Sequence, residues 1–303
     1  MMRRGALGLM ALGLACRSPL EIDTPDGPTA VGAELSLHVL VSEECTSNRP
    51  CLRTPVAVTG LEIEGEAFSI VGGSTVKAVR AGQSTVTVRG GIGDEEHEAE
   101  VRLEAAEIDA VDLTFAGSVF RSMVVPEGGE IVMGWRVRDA RGRTLFGDGF
   151  VPVTPSSPGL ELESNPEGIL VRAGPGPSRV VLSDPIGRDV AEVRVGRSDG
   201  ATGLVVLLEP GIGDSLSVVA LGLSPEGAWL PFYDEAEAVF RSATPEICGP
   251  PRGPPDARAP LAQPLIFEIR FPGRCEVRAD AGSLTGRASA RVTLAIPRVG
   301  RTL

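Results

Sequence analysis

The sequence predicts an all-β chain built of three tandem β-sandwich domains, and three observations predict it. Glycine and proline together make up 63 of the 303 residues and cut the apolar stretches into short runs. Those runs alternate apolar with polar: in Ser84-Thr85-Val86-Thr87-Val88 the valines fall on one face and the threonines on the other, the mark of a half-buried antiparallel strand. The same order of runs then recurs at a period of about 85–100 residues. No segment reads as a long amphipathic helix. Aromatic residues are only 4% of the chain, so its cores are expected to be small and built from Val, Leu, Ile and Ala.

Each repeat opens on the same strand. It appears as Gly32-Ala33-Glu34-Leu35-Ser36-Leu37, as Gly129-Glu130-Ile131-Val132-Met133, and as Gly213-Asp214-Ser215-Leu216-Ser217-Val218. A second echo follows each: Val79-Arg80-Ala81-Gly82, Val171-Arg172-Ala173-Gly174, and Val277-Arg278-Ala279 with Gly282 after a short insertion. Gly82 stands where the chain must turn, a place that favours a residue free to adopt positive φ. Closing strands begin at Ser84, Ser178 and Ala288, and a last β-run, Ala99–Leu103 and Ala191–Val195, ends the first two repeats. Breaks at Ala105-Ala106-Glu107 and Arg197-Ser198-Asp199-Gly200 set the expected domains at 24–106, 107–198 and 199–303. The third carries a proline-rich insertion, 249–264, expected to stay out of any sheet interior because proline donates no hydrogen bond.

That period and strand density are those of an immunoglobulin-like sandwich. The run Val76-Lys77-Ala78-Val79-Arg80-Ala81-Gly82-Gln83-Ser84-Thr85-Val86-Thr87-Val88 resembles the ending of the bacterial group-2 Ig-like domains of intimin-like and cell-surface proteins. The later repeats keep the outline of that pattern. The resemblance implies non-catalytic, surface-displayed modules.

The N-terminus carries an address. Arg3 and Arg4 form a basic n-region, Gly5 to Ala15 an apolar h-region of 11 residues, and Ala15-Cys16 a small residue followed by cysteine. A membrane-spanning helix needs about 20 apolar residues, so the run is too short for one. The layout resembles a bacterial lipoprotein signal; Gly13 and Leu14 depart from that family's pattern and Ala15 matches it. The resemblance implies a signal peptide over 1–15, a tether over 16–23, lipidation of Cys16, and a membrane-lipid partner. Arg17 after the anchor cysteine fits sorting to an outer membrane under the enterobacterial rule. An ordinary secretory signal is the competing reading.

Without the signal the chain has 27 basic against 40 acidic residues, a net charge of −13. Its arginines are scattered singly, and no basic stripe of the kind that supplies nucleic-acid affinity is evident, so nucleic acid is excluded as a partner. With Cys16 spent on lipid, four cysteines fall into two local pairs, Cys45 with Cys51 and Cys248 with Cys275, read as disulfides of an oxidising compartment. Zinc is the competing use, but no second Cys or His pair stands nearby at zinc spacing, and the chain has only two histidines.

One motif suggests catalysis. Gly213-Asp214-Ser215-Leu216 has the letters of the nucleophile block of GDSL esterases, but that chemistry needs a base near the C-terminus, and His38 and His97 both lie upstream. Asp94, Glu95, Glu96, Glu98 and Glu100 around His97 read as a solvated acidic hairpin, because they lack the alternating ligand pattern of a calcium loop. His38 falls on the polar face of an early strand, and Trp135 and Trp229 read as packing residues. The expected protein is therefore a lipid-anchored envelope module of structural or interaction type, with no cofactor, metal or catalytic residue. The alternatives are a carbohydrate- or polymer-binding subunit and, remotely, the esterase.

Overall fold

A computed structural model describes residues 20–42, 53–92, 95–165, 167–197, 200–211, 213–231, 237–250 and 256–293. Among them the fold is all-β, with no helix. The chain divides after Ala105 into two compact units. Cys16, Cys45, Cys51, Asp94 and, of the expected insertion, Pro251, Pro254 and Pro255 lie outside the described residues.

Period-two alternation builds the first unit. Leu35, Leu37, Val39 and Val41 are buried, while Ser36 and His38 between them face solvent. This run passes from one small sheet, where Glu34–Ser36 pairs with Thr75–Ala78, into another, where His38–Ser42 pairs with Leu20–Asp23. The largest ladder joins Gly82–Ile92 to Glu95–Ala106 in unbroken antiparallel register from Ile92↔Glu95 to Gly82↔Ala105. Val86 and Val88 have no exposed surface and meet Phe68, Val76 and Leu103 in the core. Gly82 enters its strand at φ 145°, which a side chain at that position would resist.

The second unit contains both later sequence repeats. One sheet runs Ser118–Val119, Ala110–Phe115, Glu130–Arg138, Gly168–Ala173, Leu160–Asn165. A second, of nine strands, starts in the second repeat and ends in the third. Its crossing point is Ser122–Val125, which lies parallel to Asp189–Val195 on one side and bridges Met123 to Trp229 on the other. The third repeat adds Asp256–Ala259, Ala238–Ser242, Gly273–Ala281 and Leu284–Val292 as a further sheet. Phe240 and Phe267 are fully buried between this sheet and the nine-stranded one. Gly286 lets the layers close: a Cβ there would lie 2.7 Å from the Leu204 carbonyl oxygen.

Cys248 and Cys275 form a disulfide with Cα atoms 5.6 Å apart, and both are wholly buried in this core. The expected insertion is not all loop. Its proline-free stretch Asp256–Ala259 pairs with Ala238–Ser242 as an edge strand, and Cys248–Gly249 forms another edge beside Leu265–Ile269. Edges are the sheet positions that neighbouring prolines tolerate.

Three hairpins of this unit share one turn. Asp139 Oδ1 accepts from the backbone N–H of Arg141 and Arg143, and Oδ2 from Arg143 Nε. Asp184 repeats the pattern with Ile186 and Arg188. Ser224 holds the third copy, accepting from the Ala228 N–H at 3.0 Å. In each, a glycine at the fourth position, Gly142, Gly187 or Gly227, takes φ between 76° and 84°.

Candidate binding surfaces

The place where the two later repeats meet is built from apolar strand ends. Val124, Ala228 and Leu230 form a small buried cluster, and Leu207, Val219 and Leu221 form a second, against which Phe115 and Trp229 pack. Trp229 lies tilted against Phe120, ring centres 5.9 Å apart. Above them runs a chain of charges: Arg179 and Arg194 both hold Glu192, and Arg194 reaches across to Glu226 at 3.0 Å. The Arg194 guanidinium keeps the Glu192 carboxyl below the usual carboxylate range against the upward push of burial, with Arg179 adding to it.

Beside this junction lies an open groove of about 540 Å³, and two unusual backbone positions border it. Ala116 and Gly117 form the two-residue turn of a hairpin, with φ of 44° and 69°. Such turns need positive φ at both central residues, and alanine fits the first poorly. Ala262, at φ 63°, is held by its N–H on the Ala220 carbonyl at 2.9 Å. These are the only non-glycine residues with positive φ among the described residues. Gly117 suits its place by its φ, and a Cβ there would also displace the Glu209 carboxylate, which lies against it. Arg136 donates to the Gly117 carbonyl at 2.8 Å. The groove thus offers one guanidinium, the carboxylates of Glu167 and Glu209, and the apolar edge of Phe115 and Val219.

The structure scatters the residues singled out from sequence. Ser215 opens the strand Ser215–Leu223, opposite Glu268, and both histidines are in the other unit. His38 is exposed; His97 stands in the ladder with its Nε2 3.9 Å from Glu95. The acidic residues around His97 join cross-strand partners: Glu98 pairs with Arg89, which also holds Glu62, and Glu96 accepts from Thr59. Among the described residues no group of three metal-ligating side chains converges. Trp135 packs edge-on against Phe150 at 4.9 Å. The Asp139 and Asp184 turns escaped the sequence reading, although Asp-x-x-Gly-Arg stands in both places.

No family model matches the sequence, and no curated protein does. Among solved structures the chain is similar to domains 4–9 of the surface layer protein SbsC. That likeness has 12% identity and a TM-score of 0.41, over 90% of this chain and 47% of that one. Domains 5–6 of the same protein give 10% identity and a TM-score of 0.38, over 62% of this chain and 98% of that one. Invasin, described as a bacterial integrin-binding protein, gives 10% and 0.23, over 90% and 60%. The chain spans about half the length of the first of these structures. No helix among the described residues is long and apolar enough to cross a membrane.

Proposed function

We propose that this chain is a lipid-anchored envelope protein whose β-sandwich domains serve as a non-catalytic structural or interaction module. The observation that carries the reading is the pairing of an N-terminal lipoprotein-like signal with a body that is all-β among the described residues. The joining of the two later repeats by a shared sheet, at Met123 and Trp229, suits a module that holds binding loops and sheet faces away from a membrane. The group-2 Ig-like outline of residues 76–88 supports the same role. The non-catalytic reading is supported by chain order at Ser215: both histidines lie upstream of it, whereas the esterase pattern places its base near the C-terminus.

The test is fractionation of the host envelope. The native chain is expected in the membrane fraction, and Cys16→Ser, which has no thiol to acylate, in the soluble fraction or retained as uncleaved precursor. A Cys16→Ser protein processed and membrane-bound like the native one would overturn the anchoring.

A further inference from the structure

In a chain of net charge −11, the outward face of the last sheet is locally basic. Strand alternation puts six arginines there, Arg241, Arg258, Arg274, Arg278, Arg287 and Arg291, against four carboxylates, those of Glu237, Asp256, Glu276 and Asp280. Register places Arg278 directly between Arg241 and Arg287, and Arg274 opposite Arg291. Like charges directly opposite in a sheet destabilise it, so the arrangement is not one that folding alone favours.

Much of this charge is neutralised within the face. Arg241 holds Asp256 and Asp280, Arg278 shares Asp280, Arg258 lies 3.9 Å from Glu237, and Arg274 lies 3.4 Å from Glu276 and donates to Ser289 at 3.1 and 2.8 Å. Arg287 and Arg291 are exposed and have no acidic partner among the described residues. Between the two arginine rows runs a row of smaller groups, Ala243, Glu276 and Ser289. It forms an open trough of about 500 Å³, lined by Arg274, Arg278 and Arg287 together with these residues.

We propose that this trough binds an acidic polysaccharide. Arg287, which lines the trough, and Arg291, next outward on the same strand beyond its lining, take the carboxylates, with Arg278 behind them. Guanidinium forks match carboxylates in geometry as well as charge. Arg287 and Arg291 are four residues apart along one strand, about 13 Å at ordinary strand rise, so they fit carboxylates on separate sugar units of one polymer better than one small anion. A membrane surface is the poorer occupant, because the mature chain's net negative charge repels anionic lipid. The inference rests on the reading of this chain as an interaction module, and its test does not depend on the lipid anchor.

The experiment measures binding of the full mature chain, with Ser at position 16, to polygalacturonate by calorimetry at 50 mM salt, with dextran as the neutral control. Binding to polygalacturonate and not to dextran is expected, weakening as salt screens the contacts. Arg287→Ala with Arg291→Ala is expected to cost about tenfold or more in affinity, and Arg141→Ala, an exposed arginine on the other sheet system, nothing. The double variant removes two like-charge contacts, so its melting temperature should stay level or rise. No binding, equal binding to dextran, equal binding by the double variant, or binding only to phosphatidylglycerol vesicles would each overturn the site. None of those results would bear on whether Cys16 is lipidated.

Discussion

At the residue scale, Asp139 and Asp184 carry the most structural consequence for their size. Burial pushes each carboxyl upward, but the backbone N–H and guanidinium of the arginine four residues on, with a further backbone N–H, bring each below its ordinary value of 3.8. A carboxyl depressed on folding contributes stability that is present above its unfolded pKa, near 4, and is lost as pH falls through the folded value. Asp184→Asn keeps the shape of the turn and removes the charge-assisted bond to Arg188, so it is expected to cost about 2 kcal/mol at pH 7. Urea unfolding at pH 7 and again at pH 3 checks this: the difference between the native chain and the variant should be smaller at pH 3 than at pH 7. An equal difference at both would place the contribution elsewhere. The Arg287 and Arg291 prediction belongs to this scale too, since it turns on two side chains.

At the scale of elements, the strands were legible where one face is buried. Ser84–Val88 reads directly as a strand, and Val86 and Val88 are core residues. Cys248 pairs with Cys275, its neighbour among the cysteines, as the sequence reading favours over metal binding, and the structure places the disulfide inside the apolar core of the last sheets. The Asp-x-x-Gly-Arg turns were not read, because their meaning lies in hydrogen bonds between side chain and backbone rather than in hydrophobic period. The Arg trough was hidden for a different reason. Its arginines look scattered along the chain and come abreast only through strand register, which pairs Arg278 with Arg287 across a hairpin and with Arg241 from nearly forty residues away.

The junction strand was equally illegible, since Met123 and Trp229 are over a hundred residues apart. Trp229 was expected to pack, but nothing in its neighbours in sequence says that it packs against Phe120 of the preceding repeat. Trp229→Ala should therefore do more than leave a cavity. A loss of about 3 kcal/mol is expected, of the order of a large aromatic truncated in a core. In calorimetry the melting of residues 106–303 should also separate into two transitions where the native chain shows them joined. A single, merely lowered transition would mean that the shared sheet does not depend on this contact.

At the scale of the whole molecule, sequence periodicity gave the all-β architecture, and composition gave its small aliphatic cores. What it left out is the joining of the two later repeats into one compact unit by a parallel strand, Ser122–Val125. Parallel pairing between distant segments leaves no local mark, because alternation shows that a strand exists and not which strand lies beside it. The proposed function at this scale rests on lipidation of Cys16 and on binding by the sheet faces, both of which await test.

The measurement that tests the central claim most directly is the intact mass of the protein purified from membranes of its own host, before and after reduction and alkylation. The account predicts a chain beginning at Cys16 with a lipid adduct, and four further thiols that appear only on reduction. A chain that begins elsewhere, lacks lipid, or has those thiols free before reduction would contradict it.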